Sequence, residues 1–193
     1  MTRRLPFWPT LIVALAVATM IGLGTWQLQR AKWKEGLLAR YAVARTLPVM
    51  AFPAVPVEPE TLLFRRATGY CLQVTGWSAK AGRNMAGESG WRHIAACRTG
   101  GGEGPGMQAD MGWSNNPANP AFKGGPVTGI ITEDRQKNLI LVAESPAAGL
   151  QRSLPPDPKD IPNDHRMYAV QWFSFAAIAL VIYAVALRKR LRA

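Results

Sequence analysis

The apolar positions of this chain gather into two blocks near its ends. From Phe7 to Trp26, 20 consecutive residues carry no charge, and from Met167 to Leu187 another 21 carry none, with Gln171 the main polar interruption. A bilayer core of about 30 Å takes about 20 apolar residues as helix, and a lone span must satisfy its backbone internally. The pattern predicts transmembrane helices at residues 7–27 and 167–187. Residues 1–6 and 188–193 then form short termini, and 28–166 form a domain outside the bilayer. A cleaved signal peptide competes for the first block, but no small-x-small site follows it. The run leads instead into Gly22-Leu23-Gly24-Thr25-Trp26-Gln27-Leu28.

Between the blocks the period changes. Residues 30–45 contain no proline, and Leu37, Leu38 and Tyr41 recur at helical spacing, so the first helix is expected to continue to about Ala44. Pro48, Pro53, Pro56 and Pro59 then punctuate an extended stretch. From Leu62 to Ala143 the pattern is that of strands. Tyr70, Leu72 and Val74 alternate with Cys71, Gln73 and Thr75, the period of a strand. Further strands are read at 92–98, 107–113, 127–132 and 139–143, with glycine-rich turns between several of them. Five or six strands in antiparallel meanders suggest a small sheet or partly closed barrel. Four prolines in 151–162 mark an extended connector back to the membrane.

Charge orients this arrangement. The net charge is +11, from 23 Lys+Arg against 12 Asp+Glu. Arg3 and Arg4 precede the first span, and Arg188, Lys189, Arg190 and Arg192 follow the second. Both sets flank the membrane on one side, which places both termini in the cytoplasm and the middle domain outside it. Lys32 and Lys34 oppose this slightly. Basic termini beside an anionic leaflet need no nucleic-acid partner to explain them. Two cysteines exclude a disulfide-dense scaffold. Cys71 and Cys97 fall in predicted strands, where a disulfide, two free structural thiols or metal ligation all remain open.

Few residues suit catalysis. The segment 99–106 is glycine-rich but lacks the Gly-Lys-Ser/Thr ending of a phosphate loop, and reads as a hairpin loop. Ser145, Ser153, Asp157, Asp160 and Asp164 lie in no nucleophile motif, and His93, in a strand, reads as structural. His165 differs, because Asn163 is placed to cap a helix that it opens. On that helix His165, Ala169 and Trp172 share a face, with Tyr168 beside them. An imidazole beside aromatics at a membrane boundary suits axial haem ligation, and an interfacial histidine in an aromatic belt is the plainer reading. On the first helix Gly22, Trp26, Arg30 and Trp33 share a face. This face is expected to meet the second span, with Arg30 pairing a carboxylate or snorkelling to the interface.

The segments Gly24-Thr25-Trp26-Gln27-Leu28-Gln29-Arg30-Ala31-Lys32-Trp33-Lys34 and Pro162-Asn163-Asp164-His165-Arg166-Met167-Tyr168-Ala169-Val170-Gln171-Trp172-Phe173 resemble the two terminal signatures of the surfeit locus protein 1 family. They occur in the right order beside the two spans. The middle is looser. Arg65-Arg66 through Thr75-Gly76 is similar to the family's first strand, and Pro126-Val127-Thr128-Gly129 to its Val-x-Gly strand. Asp110-Met111-Gly112-Trp113 stands where the family tends to have Asn-Arg-Gly-Trp, so any role of that arginine is not carried over to Met111.

The resemblance implies a protein of a bacterial cytoplasmic (inner) or a mitochondrial inner membrane; the short stretch ahead of the first span, without a long Arg/Ser-rich presequence, favours a bacterial member with its central domain periplasmic. It implies a non-enzymatic assembly factor for haem-copper cytochrome c oxidase that binds haem a transiently. The oxidase catalytic subunit would be its partner, and haem a synthase a further one. The implied cofactor site is His165 as iron ligand with Arg30, Trp26, Trp33, Tyr168 and Trp172. A cofactor-free scaffold for an oxidase intermediate and a membrane-tethered hydrolase are the alternatives. A transporter is disfavoured, since two spans offer no intramembrane charge or repeat.

Overall fold

The computed structural model describes residues 6–53, 58–100 and 106–192. Arg3, Arg4 and the tip of the glycine-rich loop, 101–105, lie outside the described residues. The chain divides into two compact units, Met1–Leu37 with Pro162–Ala193, and Leu38–Ile161.

The first unit is a helical pair. α1 spans Phe7–Ala44 as one 38-residue helix. Pro9 sits in its first turn, where a missing N–H costs nothing, and the next proline, Pro48, lies beyond its end. α2 spans His165–Arg192. Both are long and apolar enough to cross a membrane. Ile12, Leu15, Ile178, Val181 and Ile182 are exposed on their surfaces. A water-soluble helix hides such side chains, whereas a span turns them to lipid. The chain is a membrane protein.

The second unit is a sheet. Its strands are β1 (Met50–Ala51), β2 (Arg66–Cys71), β3 (Gln73–Arg83), β4 (Ser89–Arg98), β5 (Met107–Ser114), β6 (Gly125–Glu133) and β7 (Leu139–Ala143). They form one seven-stranded sheet in the order β1-β2-β6-β7-β5-β4-β3. Four of its pairs are antiparallel, and β1–β2 and β5–β7 run parallel, so the sheet is not a pure meander. β2 and β3 are nearly one strand, bent at Leu72. Leu72 N–H donates to the Arg98 carbonyl at 2.9 Å, and Cys71 is bonded to Cys97 of β4. Strands far apart in the sheet order therefore meet at this corner, and the sheet curls into a partly closed barrel.

At the corner two apolar side chains face outward. Tyr70 and Leu72 are 57% and 53% exposed, whereas Cys71 is fully buried. The bridge draws Cys71 inward, and strand alternation then turns its neighbours out. Cys71, Ala95, Met107, Ala109, Met111, Ile131 and Leu141 belong to one core cluster. Burial of a side chain the size of Ile131 or Leu141 contributes about 1.5–3 kcal/mol. The last turns of α1 also belong here: the Tyr41 ring lies 4.9 Å from that of Phe64.

Candidate functional site

The helical pair is built on a seven-residue repeat. On α1 the buried residues Val17, Gly24 and Ala31 recur every seven positions, and on α2 Ala169 and Ala176 do the same. A period near 3.5 keeps one stripe of each helix facing its neighbour. At Gly24 an added Cβ would lie 2.6 Å from the Phe173 ring, so only glycine lets the helices approach this closely there. The hydroxyls of Thr10 and Tyr183 hydrogen-bond near one end. Glu35 and Arg166 pair at 2.9 Å near the other.

α2 begins at His165, and its first helical hydrogen bond runs from Tyr168 N–H to the Asp164 carbonyl. Asp164 therefore occupies the cap position, and the buried Asn163 Oδ1 has no hydrogen-bond partner among the described residues. The expected Asn163 cap is not formed. His165 is half-buried, on the stripe that carries Ala169. Its Nδ1 lies 2.7 Å from Gln27 Oε1 of α1. Amide oxygen has no proton to give, so Nδ1 donates, and in the neutral ring the lone pair then lies on Nε2. Among the described residues Nε2 has no hydrogen-bond partner.

The structure separates the residues expected at one pocket. Trp172 is half-buried near the stripe of His165 and Ala169, and Tyr168 is exposed. On α1, Gly22 has open space where a Cβ would be, and Trp26 and Trp33 are 52% and 48% exposed. The Arg30 guanidinium stacks 4.0 Å over the Trp33 ring. Gly22, Trp26 and Trp33 lie nearly opposite the Val17–Gly24–Ala31 stripe around the helix. The expectation that the face of Trp26, Arg30 and Trp33 meets the second span is overturned. Gly24, rather than Gly22, is the glycine at the contact. The same phase places Gln27 toward α2, a residue the sequence reading passed over. A polar side chain three positions after the contact glycine, at the end of the apolar run, was the available signal.

The sheet unit carries buried polar clusters. Asp110 is fully buried and accepts from Arg92 Nε at 2.6 Å, Ser153 Oγ at 2.9 Å and Gly112 N–H at 3.1 Å. Gly112 has φ +133°, and a Cβ there would lie 2.7 Å from the Gln151 carbonyl. Trp113 exchanges two backbone hydrogen bonds with Gln151 and donates Nε1–H to the Gly82 carbonyl at 3.2 Å. The Asp110-Met111-Gly112-Trp113 segment thus fastens the returning connector to the sheet, while Met111 fills the core.

His93 is buried, with Nε2 2.9 Å from Ser114 Oγ. Burial holds its pKa below the ordinary histidine value, against the Asn116 carbonyl and Asp110, which raise it. Ser114 Oγ donates to the Asn116 carbonyl at 2.6 Å. Its proton is committed there, and the Asp110 oxygens are engaged by Arg92, Ser153 and Gly112. This serine–histidine contact lacks the arrangement of a nucleophile and its base.

Cys71 and Cys97 form a disulfide, with Cα atoms 5.1 Å apart. Of the three possibilities the sequence left open, the bridge is the one realised. Among the described residues no group of three or more His, Cys, Asp or Glu side chains could hold a metal ion. A haem iron, held within its macrocycle, asks only for an axial ligand.

These features define a class: a membrane protein in which a long-helix pair carries a curled, disulfide-bonded sheet inserted between the helices in sequence. The model of the SURF1 family matches residues 14–177, and the chain belongs to that family. Human surfeit locus protein 1 is 39% identical over 54 residues, covering 28% of this chain and 18% of the human protein. The matched stretch therefore spans under a fifth of that relative's length.

Proposed function

We propose that the protein is an assembly factor for haem-copper cytochrome c oxidase in a bacterial cytoplasmic membrane, with its sheet unit in the periplasm. It would bind haem a transiently and aid its insertion into the oxidase catalytic subunit, with haem a synthase as the source. The observation that carries this reading is His165: half-buried where α2 begins, Nδ1 tied down and Nε2 free. A neutral imidazole with one nitrogen fixed and the other open is the form that ligates metal. When bound, haem supplies an iron that accepts a nitrogen lone pair. His165 offers that pair, and the small Ala169 one turn on leaves room beside it. Trp172 and Tyr168 give the flanking aromatic surface. Arg30, Trp26 and Trp33 face away from this helix contact and serve as interfacial anchors, Arg30 stacked on its tryptophan.

The disulfide supports the periplasmic placement, since such bonds persist in oxidising compartments. Binding and release make or break no covalent bond of a substrate, so the reading is non-enzymatic. In cells lacking this protein, the oxidase should be deficient in haem a, and the wild-type chain should restore it. Failure of His165→Ala to restore it, at equal membrane levels, is the expected result. Full restoration by His165→Ala would favour a scaffold that works without cofactor.

A further inference from the structure

We infer that Gln27 is the residue that presents His165 for ligation, by fixing its tautomer, and that its neutral amide keeps the bond to the iron releasable. This rests on the reading of His165 given above, and its test separates the two.

The geometry comes first. The Nδ1–Oε1 contact of 2.7 Å joins α1 to α2 across the helix pair. Gln27 is half-buried, three residues from Gly24 and four from Ala31, both buried. A free imidazole exchanges its proton between two nitrogens, and the tautomer with the proton on Nε2 has no lone pair there. An acceptor aimed at Nδ1 removes that competitor and fixes the ring direction.

The chemistry comes second. Metal-ligating histidines usually give their second N–H to a carboxylate or carbonyl, and a carboxylate makes the ring more basic and the metal bond stronger. Gln27 supplies the orientation without the charge. That combination suits a protein that must give its haem up, whereas a resident cofactor profits from the stronger bond.

The test uses the full chain in detergent with 15N-labelled histidine, free of haem, at pH ~8 where an ordinary imidazole is neutral. His93→Gln identifies the second histidine's signals. Wild type should show a single His165 tautomer, protonated at Nδ1. Gln27→Leu should yield a mixture, and Gln27→Glu should restore the single form. Ferric haem is then titrated in, and its transfer to apomyoglobin is timed. Gln27→Leu should bind about 10–100-fold more weakly, and Gln27→Glu should bind more tightly than wild type and transfer more slowly. If Gln27→Leu keeps the single Nδ1–H tautomer, the inference fails whatever the haem result. It fails equally if the tautomer changes while affinity and transfer do not. Unchanged haem binding in His165→Ala would instead overturn the ligand assignment, leaving the tautomer result standing.

Discussion

Single side chains decide both the stability of the sheet unit and the chemistry of the helix pair. Asp110 is fully buried, and removing it strands Arg92 Nε and Ser153 Oγ. Asp110→Ala should cost about 3 kcal/mol, the low end for breaking a buried ion pair, because Arg92 keeps some solvent access. Urea unfolding followed by tryptophan fluorescence measures it, and a loss below ~1 kcal/mol would mean that the cluster contributes little. His93 sets a pH dependence. Its folded pKa is depressed, so the unfolded chain binds the proton more readily. The contribution is fully present above the ordinary histidine pKa of about 6.5 and is lost as pH falls from there toward the folded value. The urea midpoint should fall between pH 7.5 and 5.5, and His93→Gln should flatten that fall. An equal slope in the variant would remove His93 as the cause.

At the scale of elements, the helix contact and the barrel corner make separate predictions. Cysteine pairs placed along Val17, Gly24 and Ala31 against Ala169, Phe173 and Ala176 should crosslink, and pairs built on Gly22 should not. Crosslinking through Gly22 alone would reverse the phase of α1. Replacing both Cys71 and Cys97 by serine should cost about 3 kcal/mol, as expected for opening a loop with a sequence separation of 26 residues. Unchanged thermal stability would show that the corner holds without its bridge. The two spans and the strands 92–98, 107–113, 127–132 and 139–143 were legible in sequence because a long uncharged run marks a span and short apolar runs set off by glycine-rich turns mark strands. The helix phase was not. A span surrounded by lipid is apolar all round, so nothing but the spacing of small residues marks its contact stripe, and Gly22 and Gly24 compete for that role. The inward turn of Cys71 was hidden for a related reason: alternation gives two faces, and only the bridge to Cys97 says which is inside. The parallel β5–β7 pair joins segments distant in the chain, which local pattern does not encode.

For the whole molecule, the proposed function needs the sheet unit to lie outside the cytoplasm. Alkaline phosphatase fused near Asp110 should be active and fused after Ala193 inactive, and the reverse would move the disulfide into a reducing compartment. Of the candidate site, His165, Ala169 and Trp172 were legible as one helix face, whereas Gln27 was not, because its significance depends on a contact 138 residues away in sequence. The most direct measurement is the visible spectrum of the detergent-purified chain made alongside haem a synthesis, compared with His165→Ala and His93→Ala at equal protein. The proposed haem site predicts a haem a Soret band in wild type and in His93→Ala, lost or shifted in His165→Ala with membrane insertion unchanged. An identical spectrum and haem content in His165→Ala would contradict it.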